Sequence, residues 1–194
     1  MKSSLTKAET EQLKFVKRMI AFIGDDPTRP GLLETPSRVV KSWRELFSGY
    51  KDSPKNYKKI FQEDVDQMIV LRGCEFFSMC EHHMLPFYGT ISIGYIPNGK
   101  LIGLSKLARI ANCYSRRLQV QERMTEQIAK SIMDLIDPLG VAVVVEGVHT
   151  CMTMRGVNKQ RSRMTTSCML GIFRKDPSAR SEVLSLLRER GDNE

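Results

Sequence analysis

One stretch constrains the fold more than any other. Residues 141–148 read Val-Ala-Val-Val-Val-Glu-Gly-Val. Branching at Cβ costs rotamer freedom in a helix and suits a pleated surface, so this run is expected to be a strand. A strand needs partners, and three further segments offer themselves: 67–79, 90–96 and 164–173. Alternation in the second puts Ile91, Ile93 and Tyr95 on one side. Pro97-Asn98-Gly99 is a turn, and 101–104 returns as a short strand.

Helical periodicity fills the gaps between these strands. Ser105 is expected to cap a helix bearing Leu107, Ile110, Ala111 and Tyr114. A longer helix over 119–136 carries Met124, Ile128 and Leu135 on one face, with Pro138 and Gly140 ending it. Asp176-Pro177 opens a last helix with Val183, Leu184 and Leu187 facing inward. Near the N-terminus, Thr6 and Glu9 have capping-box spacing, and Leu13, Val16, Ile20 and Ile23 recur at helical intervals over 6–23. Thr35-Pro36 reads as a cap followed by a first-turn proline for a helix with Val39, Trp43 and Leu46, ended by Gly49. Residues 50–66 read as a polar connector. The order describes an α+β chain, an antiparallel sheet backed by helices, with an N-terminal helical segment at 1–50 and the remainder at 51–194.

The hydrophobic share of 41% is enough for a real core. No run approaches the roughly 18 apolar residues of a membrane helix. The opening MKSSLTKAETEQ lacks the apolar centre of a secretory signal, so the expected location is cytoplasmic. A net charge of +8 fits nucleic acid, a membrane surface or a polyanionic small molecule, and does not choose among them. Five cysteines, an odd count, argue against a disulfide framework and for metal binding or plain burial. Cys74, Cys113 and Cys168 read as buried thiols.

All three histidines stand beside a cysteine. Cys80 and His83 are three apart, and a helical turn would put both on one face, within reach of one ion. His82 then points about 100° away, free for proton transfer. His149 and Cys151 are two apart, and extended chain would give them one face and one pocket. Thiolate and imidazole suit zinc, and three protein ligands leave a fourth position for water, the catalytic pattern. A structural zinc ion is the competing reading; it needs a fourth ligand from His82, His149 or Cys168.

Ser105-Lys106-Leu107-Ala108-Arg109 opens a helix, where backbone N–H groups favour anions. Arg155, residues 161–163, Arg38 and Lys41 add positive charge, each also explicable as solvated surface. Glu122, in the first turn of the long helix, has the two acceptors that guanine's N1–H and 2-amino group require. It also fits as a helix N-terminal acid. A basic zinc module for nucleic acid is a second reading of the whole. It expects four ligands and exposed aromatics, whereas three ligands come naturally here and the chain has one Trp and five Tyr.

Taken together, Cys-Glu-His-His followed by Leu-Pro-Phe, Leu-Ser-Lys-Leu-Ala-Arg, Gln-Val-Gln-Glu-Arg and His-x-Cys-x-x-x-Arg-Gly resemble the GTP cyclohydrolase I family. The likeness runs from the Gly-Leu-Leu-Glu-Thr-Pro-Ser-Arg segment near residue 31 to Phe173. It implies a tunnelling fold, a homo-oligomer built as a decamer of two pentamers with active sites at subunit contacts, and conversion of GTP to 7,8-dihydroneopterin triphosphate and formate. Neither nucleic acid nor membrane is an implied partner. Cys80, His83 and Cys151 match the zinc ligands, and His82 and His149 the catalytic acid/base pair. Gln121 and Glu122 match guanine-binding positions. Lys106, Arg109 and Arg155 match triphosphate contacts, with Ser105 in the same segment. Arg38 and Lys41 match basic positions that reach a neighbouring subunit's site.

Overall fold

The computed structural model describes residues 7–188 and divides into two compact units between Phe47 and Ser48. The first holds α1 (Lys7–Phe22) and α2 (Thr35–Leu46). Val16, Ile20 and Val40 are buried between them, flanked by Leu13, Leu32, Val39 and Trp43. An Arg44–Glu9 ion pair joins their polar edges. The apolar stripe stops one turn earlier than expected: α1 ends at Phe22, and Ile23 lies 74% exposed. Thr6 lies outside the described residues. Thr35 is not the cap of α2. Leu33 and Glu34 already have helical backbone after the 3-10 turn at Pro30–Leu32, so the flanking residue is Glu34, which makes no side-chain cap. The helix ends at Leu46, and Gly49 sits buried in the next turn, Ser48–Lys51.

The second unit is built on β2 (Ile69–Cys80), β3 (Pro86–Ile96), β5 (Leu118–Gln119), β6 (Gly140–His149) and β7 (Met164–Gly171). They lie in the order β5-β2-β3-β6-β7, antiparallel except for the short parallel β5–β2 pair. The valine run is β6, an interior strand paired along its length between β3 and β7. Two long helices, α3 (Leu104–Ser115) and α4 (Gln121–Ile136), supply Leu107, Ile110, Met124, Ile128 and Ile132 to one core with Ile91, Ile93 and Tyr95. The other sheet face receives Phe173 of α6 (Ile172–Lys175) and Val183 and Leu187 of α7 (Pro177–Leu187), packed on Ala142. The expected α+β layers, an antiparallel sheet backed by helices, are therefore present.

Boundaries moved where pairing overrides local pattern. β3 starts at Pro86, four residues before its alternation begins, because both neighbours pair with it that far. The connector contains β1 (Ile60–Gln62), which pairs with β4 (Lys100–Ile102). Leu104 opens α3 rather than closing β4, so Gly103 is the cap and Ser105 lies inside the first turn. Leu118–Gln119 pairs with β2, which delays α4 to Gln121. Gly171, at φ 61°, turns the chain out of β7, and Ile172 continues as helix.

Candidate metal and catalytic site

The sheet register brings three chain ends to one place. Met79 pairs with Pro86, and Phe87 pairs with His149, so the end of β2, the start of β3 and the end of β6 converge. Between β2 and β3 the chain makes a single helical-type turn: Met84 N–H donates to the Cys80 carbonyl at 2.8 Å, an i to i+4 bond. Met84 takes a positive φ of 53° to leave it. Cys80 N–H donates back to Leu85 and Glu81 N–H to Gln119, so the turn is tied at both sides. Arg123 of α4 clamps it further through Glu81, whose carboxyl is held below its usual range by that guanidinium.

One turn of helix-like backbone sets Cys80 and His83 on one side, as their spacing requires. Cys151 reaches them from α5 (Thr150–Thr153), the short helix after β6. Sγ of Cys80, a ring nitrogen of His83 and Sγ of Cys151 all lie within 4.8 Å of one another, a group that can hold a metal ion. Tetrahedral zinc, with Zn–S near 2.3 Å and Zn–N near 2.0 Å, needs such atoms about 3.5–3.8 Å apart, a small rotation away. Burial, then the neighbouring Cys80 sulfur, push the Cys151 thiol up from its usual range. Two sulfurs side by side resist becoming thiolates unless a cation joins them, so the donor set fits a divalent metal.

The extended geometry expected for His149-Thr150-Cys151 is not what forms. His149 ends the strand, Thr150 starts a helical turn, and its hydroxyl donates to the Pro86 carbonyl at 2.5 Å. His149 and Cys151 nevertheless line one cavity of about 330 Å³ with Gly147, Met152 and Arg163. His149 lies flat on Phe87, ring centroids 4.6 Å apart and planes 7° from parallel. Its Nε2 is 2.9 Å from Oε1 of Gln121. Burial lowers the His149 pKa, with the nearby Glu122 charge pushing back. Burial thus favours the uncharged ring. His82 is exposed, with Nδ1 3.8 Å from the Cys80 sulfur, outside the three-donor group.

Gln121 is fully buried, and its amide is spent on protein partners. Glu122, next on the helix, is exposed and acts electrostatically on His149. Arg155 is near enough to Cys151 to ease its deprotonation. These residues gather at the metal end. Ser105, Lys106 and Arg109 do not. They open α3, which follows β4 at the Ile96 end of β3, and β3 spans about 34 Å at ~3.4 Å per residue. Lys106 Nζ and the Arg109 guanidinium sit 5.9 and 5.8 Å from the centroid of the Tyr57 ring. The Tyr57 hydroxyl donates to Asp52, which pushes its pKa up to about 12. Arg38 and Lys41 belong to the first unit, Arg38 paired with Glu34. The sequence does not single out Tyr57, and Phe87 and Arg123 stand there only as members of the Leu-Pro-Phe and Gln-Val-Gln-Glu-Arg motifs, without a role; an aromatic or arginine in a strand or helix carries no local sign of what it supports.

The sequence model of the family described as GTP cyclohydrolase I matches residues 13–188. A protein named GTP cyclohydrolase 1 from Wolinella succinogenes is 51% identical over 175 residues, covering 89% of this chain and 94% of that protein. One of the same name from Chlorobium chlorochromatii is 51% identical over 176 residues, 90% of this chain and 79% of the other. Another, from Leptospira biflexa, is 50% identical over 175 residues, 89% and 96%.

Proposed function

Since this chain belongs to the GTP cyclohydrolase I family, enzymes that hydrolyse GTP, we propose that it converts GTP and water to 7,8-dihydroneopterin triphosphate and formate, the first step of pterin and folate biosynthesis. The observation that carries this reading is the meeting of Cys80, His83 and Cys151 within 4.8 Å, beside a cavity lined by His149. Zinc is the metal this donor set suits. Bound there, it supplies Lewis acidity that activates water as a nucleophile near neutral pH.

The protein groups do the rest. Water adds at C8 of guanine, the carbon between N7 and N9. His149 relays a proton from that water to N7 and so makes C8 more electrophilic. A second water releases that carbon as formate. His82 moves protons in the Amadori rearrangement of the opened ribose, and the new amine and carbonyl condense with loss of water. Net consumption is one water. Glu122 accepts from N1–H and the 2-amino group, which adenine lacks in that arrangement. Gln121 belongs to the same guanine-proximal turn. Lys106, Arg109 and Arg155, with Ser105 beside them, bind the unreacting triphosphate and supply positioning.

The layout of the single chain supports an oligomer. The metal end lies where β3 starts and α3, which bears Ser105, Lys106 and Arg109, opens beyond the other end of β3, a separation that favours triphosphate cations supplied by another copy. A homo-oligomer, a decamer of two pentamers with Arg38 and Lys41 reaching a neighbouring site, answers that need. No described helix is long and apolar enough to cross a membrane. The cytoplasm, with neither nucleic acid nor membrane as partner, is the proposed setting. Incubating zinc-loaded protein with GTP tests the reading: formate and, after oxidation, a fluorescent pterin are expected. Intact GTP under every metal condition refutes it.

A further inference from the structure

Gln121 opens α4 with none of its surface exposed. Its side-chain nitrogen lies 3.1 Å from the Val145 carbonyl, 2.9 Å from the Met164 carbonyl and 3.2 Å from Oγ1 of Thr166. Its side-chain oxygen lies 2.9 Å from Nε2 of His149. Which way an amide faces is decided by its partners. Here they leave one answer. The two carbonyls only accept. Thr125 donates its single hydrogen to the Gln121 main-chain carbonyl at 2.7 Å. Thr125 therefore accepts, not donates, in its 2.7 Å contact with Thr166. Thr166 has then spent its hydrogen and can only accept from Gln121. All three neighbours need the NH2 group, so Oε1 must face His149.

An amide oxygen 2.9 Å from a ring nitrogen requires a hydrogen on that nitrogen. Nε2 of His149 is the donor, and in the neutral ring the lone pair is on Nδ1. Phe87, stacked parallel, stops the ring from tilting out of this bond. Gly147 makes the contact possible: a Cβ there would stand 2.5 Å from Oε1 of Gln121.

We propose that Gln121 is a positioning residue that locks neutral His149 as its Nε2–H tautomer, so that Nδ1 is the nitrogen exchanging a proton with the substrate. Nδ1 takes a proton from the adding water and passes it to N7; the hydroxyl ends on C8, the proton on N7, and the ring is again the neutral Nε2–H form. The inference deepens the proposed reaction and rests on it for the substrate; the tautomer does not depend on it.

The test uses full-length, zinc-loaded protein labelled with 15N-histidine and sedimented for solid-state NMR. With three histidines, His149→Ala assigns the signal. At about pH 8.5, where imidazole is neutral, a protonated Nε2 and a bare Nδ1 are expected. Gln121→Met keeps length but not polarity. It should give a tautomer mixture and lower kcat about tenfold, with KM for GTP within about threefold. Gly147→Ala keeps the amide and crowds its oxygen, and should move both readouts the same way by less. A bare Nε2 in the wild-type protein overturns the proposal, as does unchanged kcat with KM raised about tenfold, which would make Gln121 a guanine contact instead. Should Gln121→Met not fold, the wild-type spectrum and Gly147→Ala still decide. A protein that shows Nε2–H but leaves GTP intact would refute the proposed reaction alone.

Discussion

Zinc affinity is expected to climb steeply between about pH 6.5 and 7.5, because the ligand thiols must lose their protons to bind. The size follows from the donor set. Cys151 lies above its ordinary pKa, first through burial and then through the adjacent Cys80 sulfur, so it enters the reaction as a thiol throughout this window. One proton released per zinc makes affinity rise about tenfold per pH unit, or ~1.4 kcal/mol; two thiols releasing one each make it about a hundredfold. The sign is set by the raised thiol: binding favours the deprotonated form, so affinity grows with pH until pH passes the thiol's value. Arg155 tempers the effect and does not reverse it. Competition against a chelator of known pH dependence reads the slope. Calorimetry in two buffers of different ionisation enthalpy counts the protons. A slope near zero would mean that Cys151 is not a ligand or is already a thiolate. Either result refutes the account of the donor set.

Three other outcomes follow from packing and contacts. Ile132, fully buried on α4, is expected to cost about 2–5 kcal/mol when cut to alanine, read by denaturant unfolding of the metal-loaded protein. Asp176 caps α7 through Ser178 and Ala179 N–H at 2.7 and 3.2 Å, so Asp176→Ala should cost about 1 kcal/mol and lower Tm with the zinc content unchanged. Tyr57→Leu removes the ring beneath Lys106 and Arg109, and at about 0.5–1 kcal/mol per contact should raise KM for GTP several-fold with kcat kept. Equal loss of kcat would place Tyr57 in the chemistry instead.

Much of this molecule can be read from its residues, and the failures have a common cause. Strands announced by a side-chain pattern, such as the valine run of β6, lie where expected. β1 and β5, three and two residues long, exist only because β4 and β2 run beside them. The Cys80–His83 spacing is local and could be read directly. The reach of Cys151 came out right for a wrong local reason: the chain turns helical at Thr150, and the sheet register, not extended geometry, delivers the sulfur. Gln121 shows the same limit. Its neighbour Glu122 is exposed, while Gln121 turns inward to three acceptors contributed by β6 and β7, strands that follow it in the chain. Spacing reveals what one turn can hold, and only packing reveals which of two adjacent side chains faces the core.

Release of the C8 carbon tests the central claim most directly. Zinc-loaded protein given GTP labelled at C8 should release all of the label as formate, one per dihydroneopterin triphosphate formed. Cys151→Ala should lose both zinc and that release. Label retained in the nucleotide product, or full release by Cys151→Ala without zinc, would contradict a metal-centred opening of the purine by Cys80, His83 and Cys151.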